Sequence, residues 1–218
     1  ILQTYPQVRL VGIDRDKQAL ARAAKRLREY SERFTAVHAT FDAIDQVAAT
    51  YRSEEYPLAG VLMDLGVSSM QLDDTARGFS YAREADLDMR MDQSSGKTAA
   101  DLLAELSTAE LTEILRQYGE EKFASRIARE IVRAREESPI TSSSQLVEIV
   151  REAIPAPARR KGGNPAKRTF QALRIAVNQE LTILRNALPK ALQALSPGGV
   201  LVVEAYQSLE DRLVKRAF

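Results

Sequence analysis

The sequence predicts an α/β domain built on a parallel sheet, with a block of helices inserted into it. Two observations carry this reading. Short apolar runs alternate with helical patterns near both ends of the 218-residue chain, and these runs lack the polar–apolar alternation of a half-exposed strand. Runs of that kind pair in parallel with both faces covered. Between them lies a long stretch in which helical patterns follow one another and no strand pattern occurs.

The elements follow in order. "VRLVGID" (residues 8–14), bounded by Pro6 and Asp14, reads as a buried strand. Leu20, Ala23, Ala24 and Leu27 then recur at helical spacing among charged residues. "FTAVHA" (34–39) is a second strand, "DAIDQVAATY" a helix, and "AGVLMDLG" a third strand. Residues 73–97 are polar and show no clear period. "STAELTEILRQYG" opens with Ser107 and carries Glu110 three residues on, a capping-box signature. "EEKFASRIAREIVRAREES" and "TSSSQLVEIVREAI" are further helices, stopped at Pro139 and Pro155. After the loop "PAPARRKGGNPAKR" one long helix is expected over 169–195, with Leu173, Val177, Leu181 and Leu184 on one face. "SPGG" then turns into a last strand, "VLVVEA". The expected organisation is an α/β part over 1–74 and 169–218, and a helical insertion over 75–168. The chain opens at Ile1 in mid-pattern and stops at Phe218 soon after a strand, so a piece of a longer protein is expected.

Composition removes several function classes. Lys and Arg number 31 against 30 Asp and Glu, a net charge of +1, so only local clustering can point to a nucleic-acid partner. The absence of cysteine excludes disulfides and thiolate metal sites. His38, the only histidine, argues against a zinc site or a Ser–His–Asp triad within the chain. No apolar run approaches the ~18 residues of a membrane span, and nothing resembles a signal peptide. A soluble, cytoplasmic protein without metal or membrane contact is expected, and a homodimer is compatible with the sequence.

The stretch "VLMDLGVSSMQLDD" breaks from an apolar run into small and polar residues at Asp64. Parallel sheets bind ligands outside the carboxyl ends of their strands, where Asp14, the Phe41–Asp42 pair and Asp64 all fall. Asp14 is either the N-cap of the following helix or an acceptor for ribose hydroxyls, and Asp16 suits the cap equally well. His38 reads as a hydrogen-bonded core residue. Phe41 is either core packing or a surface for a flat adenine ring. An ionised Asp64 beside a sheet core needs a partner. Arg159, Arg160, Lys161, Lys167 and Arg168 cluster without an acid in the last loop, and Arg174 follows within two turns of the next helix. The cluster is either a solvated loop or a contact for a phosphate backbone.

The blocks "GIDRD", "DLGVSSMQLDD", "RGFSY", "DLDMRMD", "YGEEKFASRIAREI", "NPAKRTFQALRIAVNQEL" and "SLEDRLVK" together resemble bacterial methyltransferases that modify a cytosine N4 in 16S ribosomal RNA with S-adenosylmethionine. The resemblance spans the chain in the family's order. It implies a Rossmann-like class I methyltransferase domain with a helical substrate-recognition insertion, acting on a cytosine of the decoding centre in the small ribosomal subunit. It implies Asp14 on the cofactor ribose, Phe41 in the adenosine pocket, and Asp64 and Gln71 as further cofactor contacts. It also places the family's Gly-rich cofactor loop, and a central strand between those ending at Asp14 and Asp64, before Ile1, so a gap between these strands, or another segment filling it, is expected. Where the family tends to read Phe-His-Ser-Leu-Glu-Asp-Arg, this chain has Tyr206 and Gln207, and Gln207 cannot serve as a general base. Methylation of an exocyclic amine needs alignment and acceptors for its hydrogens, for which Asp64, Ser68, Ser69 and backbone carbonyls are candidates. The base must also leave its stack. Two other readings share parts of the pattern: an NAD-dependent oxidoreductase, which has no use for the basic loop, and a non-catalytic RNA-binding assembly factor.

Overall fold

The computed structural model describes residues 1–74, 77–159 and 163–218. The chain forms β1 (Leu10–Asp14), α1 (Lys17–Arg26), β2 (Phe34–His38), α2 (Ile44–Tyr51), β3 (Gly60–Asp64) and α3 (Ser69–Asp73). Helices α4 (Ala99–Glu105), α5 (Thr108–Gly119), α6 (Ala124–Glu137), α7 (Ser143–Ala153), α8 (Ala156–Arg159) and α9 (Lys167–Asn178) follow. Then come α10 (Glu180–Ala194), β4 (Val200–Glu204) and α11 (Ser208–Ala217). The described residues divide into two compact units, 1–66 with 180–218, and 67–179.

In the first unit the strands pair in parallel, as their apolar runs predict. β1 pairs with β2 from Leu10 opposite Phe34 to Asp14 opposite His38. β3 pairs with β4 from Gly60 opposite Val200 to Asp64 opposite Glu204. The two pairs are separate two-stranded sheets, so the gap expected between β1 and β3 is present. Alternation of side chains sends Val61, Met63, Leu201 and Val203 to one face. There they pack with Ile44 of α2 and with Leu184, Ala187, Leu188 and Ala191 of α10.

The opposite face corrects the expectation of two covered faces. Leu62 is 62% exposed, Val200 59% and Val202 46%. An apolar run shows that a strand has two apolar faces, but a cover for each requires an element on each side. Among the described residues the helices of this unit bury only one. Asp64, on the open face, is accordingly exposed rather than set beside a core.

The single helix expected over 169–195 is two. Gln179 adopts a left-handed conformation (φ +52°), and its N–H turns back to the carbonyls of Ile175 and Ala176. That terminates α9 in the manner of a left-handed C-cap before α10 begins. The apolar positions run through the break, so periodicity alone gives no sign of it.

The second unit has its own core of Leu87, Met89, Leu103, Leu111, Leu115, Ile127, Ile131, Leu146, Val150, Phe170 and Leu173. Helix α5 is fixed at its start as the sequence predicts. Ser107 Oγ accepts from the Glu110 N–H (3.3 Å), and the Glu110 carboxylate accepts from the Ser107 N–H (2.8 Å). Its end packs closely on α9, where a Cβ on Gly119 would stand 2.6 Å from the Arg168 carbonyl oxygen. This is why the compact unit runs to Gln179 instead of ending at 168. It begins at Val67, whose side chain packs against the same core.

The aperiodic stretch after α3 is not loose. Leu87 and Met89 are 1% and 0% exposed, Leu87 N–H donates to Thr141 O, and Met89 N–H to Arg77 O. Asp88 receives a two-pronged contact from Arg90, at 2.7 Å from Nε and 2.9 Å from Nη2. Burial pushes the Asp88 carboxyl up, but the Arg90 hydrogen bonds and charge outweigh it and leave it below the ordinary carboxylate range.

Candidate functional site

The carboxyl ends of β1, β3 and β4 converge in the first unit. Ile13, Phe41, Met63, Leu65 and Ala205 all belong to one apolar cluster, so the residues following each strand lie around it. Asp14, Asp64 and Glu204 are the last residues of their strands.

Asp14 is not the helix cap. Asp16 caps α1, its Oδ1 accepting from the N–H groups of Gln18 (2.9 Å) and Ala19 (3.4 Å). One Asp14 oxygen, Oδ1, accepts from the Asp16 N–H at 2.7 Å, which fixes the side chain at the strand mouth. Burial pushes the Asp14 carboxyl above its ordinary value, and the amide of Asp16 only partly offsets this. A half-buried carboxylate without capping duty suits an outside donor. His38 is exposed at the end of β2 rather than in the core, and its Nε2 donates to Arg15 O at 3.0 Å, bracing the same loop.

Phe41 is half-buried and packs against the apolar cluster. The turn that carries it is pinned by Lys190, whose Nζ donates to the Asp42 carbonyl at 2.8 Å and reaches Asp45 at 3.3 Å.

At the end of the β3–β4 pair, Asp64 and Glu204 stand opposite each other. Two carboxylates so placed repel unless something comes between them, and the Tyr206 hydroxyl does. It donates to Glu204 Oε2 at 3.1 Å and is also hydrogen-bonded to Asp64. The Asp64 hydrogen bond first, then that of Glu204, pushes the Tyr206 hydroxyl up to about 12. Tyr206 itself is 70% exposed. Glu204 is not among the residues that sequence reasoning singles out, although an acid at a strand end is the signal that marks Asp14 and Asp64, and Tyr206 enters that reasoning only as a departure from the family's pattern. Gln207 plays a structural part, since its N–H and its side-chain amide both donate to Glu210, which is buried.

The remaining candidates lie in the second unit. Ser68 and Gln71 form a reciprocal capping box at the start of α3. Gln71 Oε1 accepts from the Ser68 N–H at 3.0 Å, and Ser68 Oγ from the Gln71 N–H at 3.3 Å. Their spacing is the signal of that cap, the same one that marks Ser107 and Glu110. In the basic loop, Arg160 and Lys161 lie outside the described residues. Arg168 donates to the Glu120 carbonyl (3.1 Å) at the end of α5, Lys167 is exposed, and Arg159 and Arg174 are half-buried. No helix among the described residues is long and apolar enough to cross a membrane.

Known proteins place this arrangement in a family. The MraW methylase family matches residues 1–218. A protein of Beutenbergia cavernae named ribosomal RNA small subunit methyltransferase H is 61% identical over 99% of the chain and 64% of its own length. The protein of that name from Frankia alni is 59% identical over 99% of the chain and 66% of its own length. The one from Mycolicibacterium smegmatis is 57% identical over all of the chain and 58% of its own length. The chain therefore spans less than two thirds of these relatives. With a match from its first residue to its last, the chain belongs to the MraW methylase family.

Proposed function

We propose that the protein carrying this chain methylates N4 of a cytosine in the decoding centre of 16S ribosomal RNA, with S-adenosylmethionine as donor. The observation that carries the proposal is the set of strand ends in the first unit, where Asp14 and Asp64 close β1 and β3 and Phe41 follows β2, in a chain of the MraW methylase family. The residues fit the cofactor: Asp14 offers a half-buried carboxylate for ribose hydroxyls, and Phe41 offers an aromatic face at the next strand end. The bound cofactor supplies an electrophilic sulfonium methyl group. The N4 lone pair is delocalised into the ring and is a poor nucleophile, so the chain's part is to align the amine with that methyl group and to accept the N4 hydrogens, and alignment of this kind can replace a strong base. Asp64 is the acceptor we favour, because Ser68 is engaged in a helix cap while Tyr206 holds Asp64 at the open strand end.

The test is methyl transfer from labelled S-adenosylmethionine to small-subunit RNA, followed by nucleoside analysis. N4-methylated cytidine is expected, with no response to NAD. RNA binding without any transfer would favour the assembly-factor reading instead.

Cofactor affinity tests Asp14 separately. Asp14→Ala in the full-length protein is expected to weaken S-adenosylmethionine binding by ~1.5–3 kcal/mol, the range for a hydrogen bond to a charged group. Calorimetry showing equal affinity in a folded variant removes Asp14 from the site. The loop is tested by neutralising Arg159, Arg160, Lys161 and Lys167 and leaving Arg168, which also caps α5. RNA affinity should fall and its salt dependence flatten by up to ~0.7–0.9 for each phosphate the loop no longer neutralises. Identical salt dependence in both proteins reduces the loop to solvated surface.

A further inference from the structure

We propose that the outward face of α1 and the turn after it form a second RNA-docking surface, one that takes the phosphate backbone of folded ribosomal RNA. The proposal rests on the methyltransferase reading for its partner, but on different residues. Helix α1 carries Lys17, Arg22, Lys25 and Arg26 and no acid. Helix α6, by contrast, interleaves Arg126, Arg129, Arg133 and Arg135 with Glu130, Glu136 and Glu137. The acid nearest the start of α1, Asp16, is 4% exposed and turned to its capping bonds.

Arg22, Lys25, Arg26 and Arg28 line an open cleft of about 520 Å3, with Glu29 as the only acid in its wall. A cleft walled by charged residues alone lacks the aliphatic and aromatic side chains that line a small-molecule site. Among the described residues Lys25, Arg26 and Arg28 have no ion-pair partner. Arg22, Lys25 and Arg26 stand three and four residues apart, on one side of the helix, where like charges oppose each other. Bases in a last helical turn complement the helix dipole, which accounts for Lys25 and Arg26 but not for Arg28 beyond the helix or Arg22 before its last turn. The whole chain carries only +1, so the basic character of this face is a local clustering of charge and not a property of the chain as a whole. Three guanidinium groups suit the paired oxygens of phosphates, and release of counterions from RNA supplies the affinity.

The experiment uses the full-length protein with R22Q/K25Q/R26Q/R28Q, binding naked 16S ribosomal RNA between 50 and 200 mM salt. The slope of log affinity against log salt is expected to fall by about 3, so that the parent loses roughly 60-fold more affinity than the variant over this fourfold range. The charge-conserving R22K/R26K/R28K should keep the parent's slope. Both variants should keep the parent's S-adenosylmethionine affinity, which shows that they fold. Equal slopes in parent and R22Q/K25Q/R26Q/R28Q overturn the α1 surface alone. Loss of binding to assembled subunits but not to naked RNA assigns the face to an acidic ribosomal protein and also overturns it. A parent that binds no ribosomal RNA overturns the methyltransferase reading and this surface together.

Discussion

Replacing Asn178 by alanine is expected to destabilise the helical unit by about 3–4 kcal/mol, the combined cost of stranded buried hydrogen-bonding groups and a small cavity. The side chain is 1% exposed and satisfies three backbone groups. Its Nδ2 donates to the carbonyls of Met89 (2.7 Å) and Arg174 (2.9 Å). Its Oδ1 accepts from the Met91 N–H at 2.8 Å. Arg174 already has helical company. Met89 and Met91 lie outside any helix or strand, in a stretch where Met89 holds a left-handed conformation (φ +58°). Alanine would leave the buried Met89 carbonyl and the part-buried Met91 N–H without this partner and detach residues 89–91 from α9. Asn178→Asp, which keeps the acceptor but turns a second oxygen toward the carbonyls of Met89 and Arg174, should cost at least as much as alanine. Urea unfolding followed by circular dichroism measures the effect, and a loss under 1 kcal/mol would mean that water or a shift of the backbone replaces the side chain.

This linkage also shows what kind of structure is legible in a sequence. The Ser107–Glu110 cap is local: it needs only two side chains three residues apart, and spacing reveals it. Strand positions and parallel pairing follow from apolar runs for the same reason. The role of Asn178 depends on residues nearly 90 positions away, and nothing in "NQEL" announces it. The break at Gln179 is hidden because leucines and alanines continue through it at helical spacing, while a single left-handed residue ends α9. The open face of β3 and β4 escapes the sequence because apolar character records what a strand can bury, not what is there to bury it. Among the site residues, Asp14 and Asp16 compete for the cap of α1 on equal terms in the sequence, and only the hydrogen bonds of Asp16 decide between them. Gln71 stands out in the sequence only through family resemblance, although its capping box with Ser68 follows the same rule as that of Ser107. The tie between Asp64 and Tyr206 joins β3 to the end of β4 and is beyond any local pattern.

That tie frames the largest expected effect on activity. Asp64→Asn should lower the rate of methylation at saturating substrates by ~10²–10³, the range for removing one placed group that meets developing charge in a transition state. In the proposed reaction N4 gains positive charge as it takes up the methyl group, and its hydrogens seek acceptors. Asparagine keeps the shape of Asp64 but exchanges one acceptor oxygen for a donor and removes the negative charge. The Tyr206 hydroxyl, pushed up to about 12 by Asp64 and then Glu204, keeps its proton throughout the working pH range and so remains a donor that orients the pair. Tyr206→Phe should therefore slow the reaction less than Asp64→Asn, by loosening the acceptor rather than deleting it. The family resemblance gives Asp64 a second role as a cofactor contact, and kinetics separate the two. Loss of an acceptor of the N4 hydrogens lowers kcat with little change in S-adenosylmethionine affinity, whereas loss of a residue that only holds the cofactor weakens that affinity and leaves kcat intact at saturation. If Asp64→Asn behaves in the second way, the acceptor must be sought among the other polar groups of "DLGVSS", beginning with Ser69, the first residue of α3.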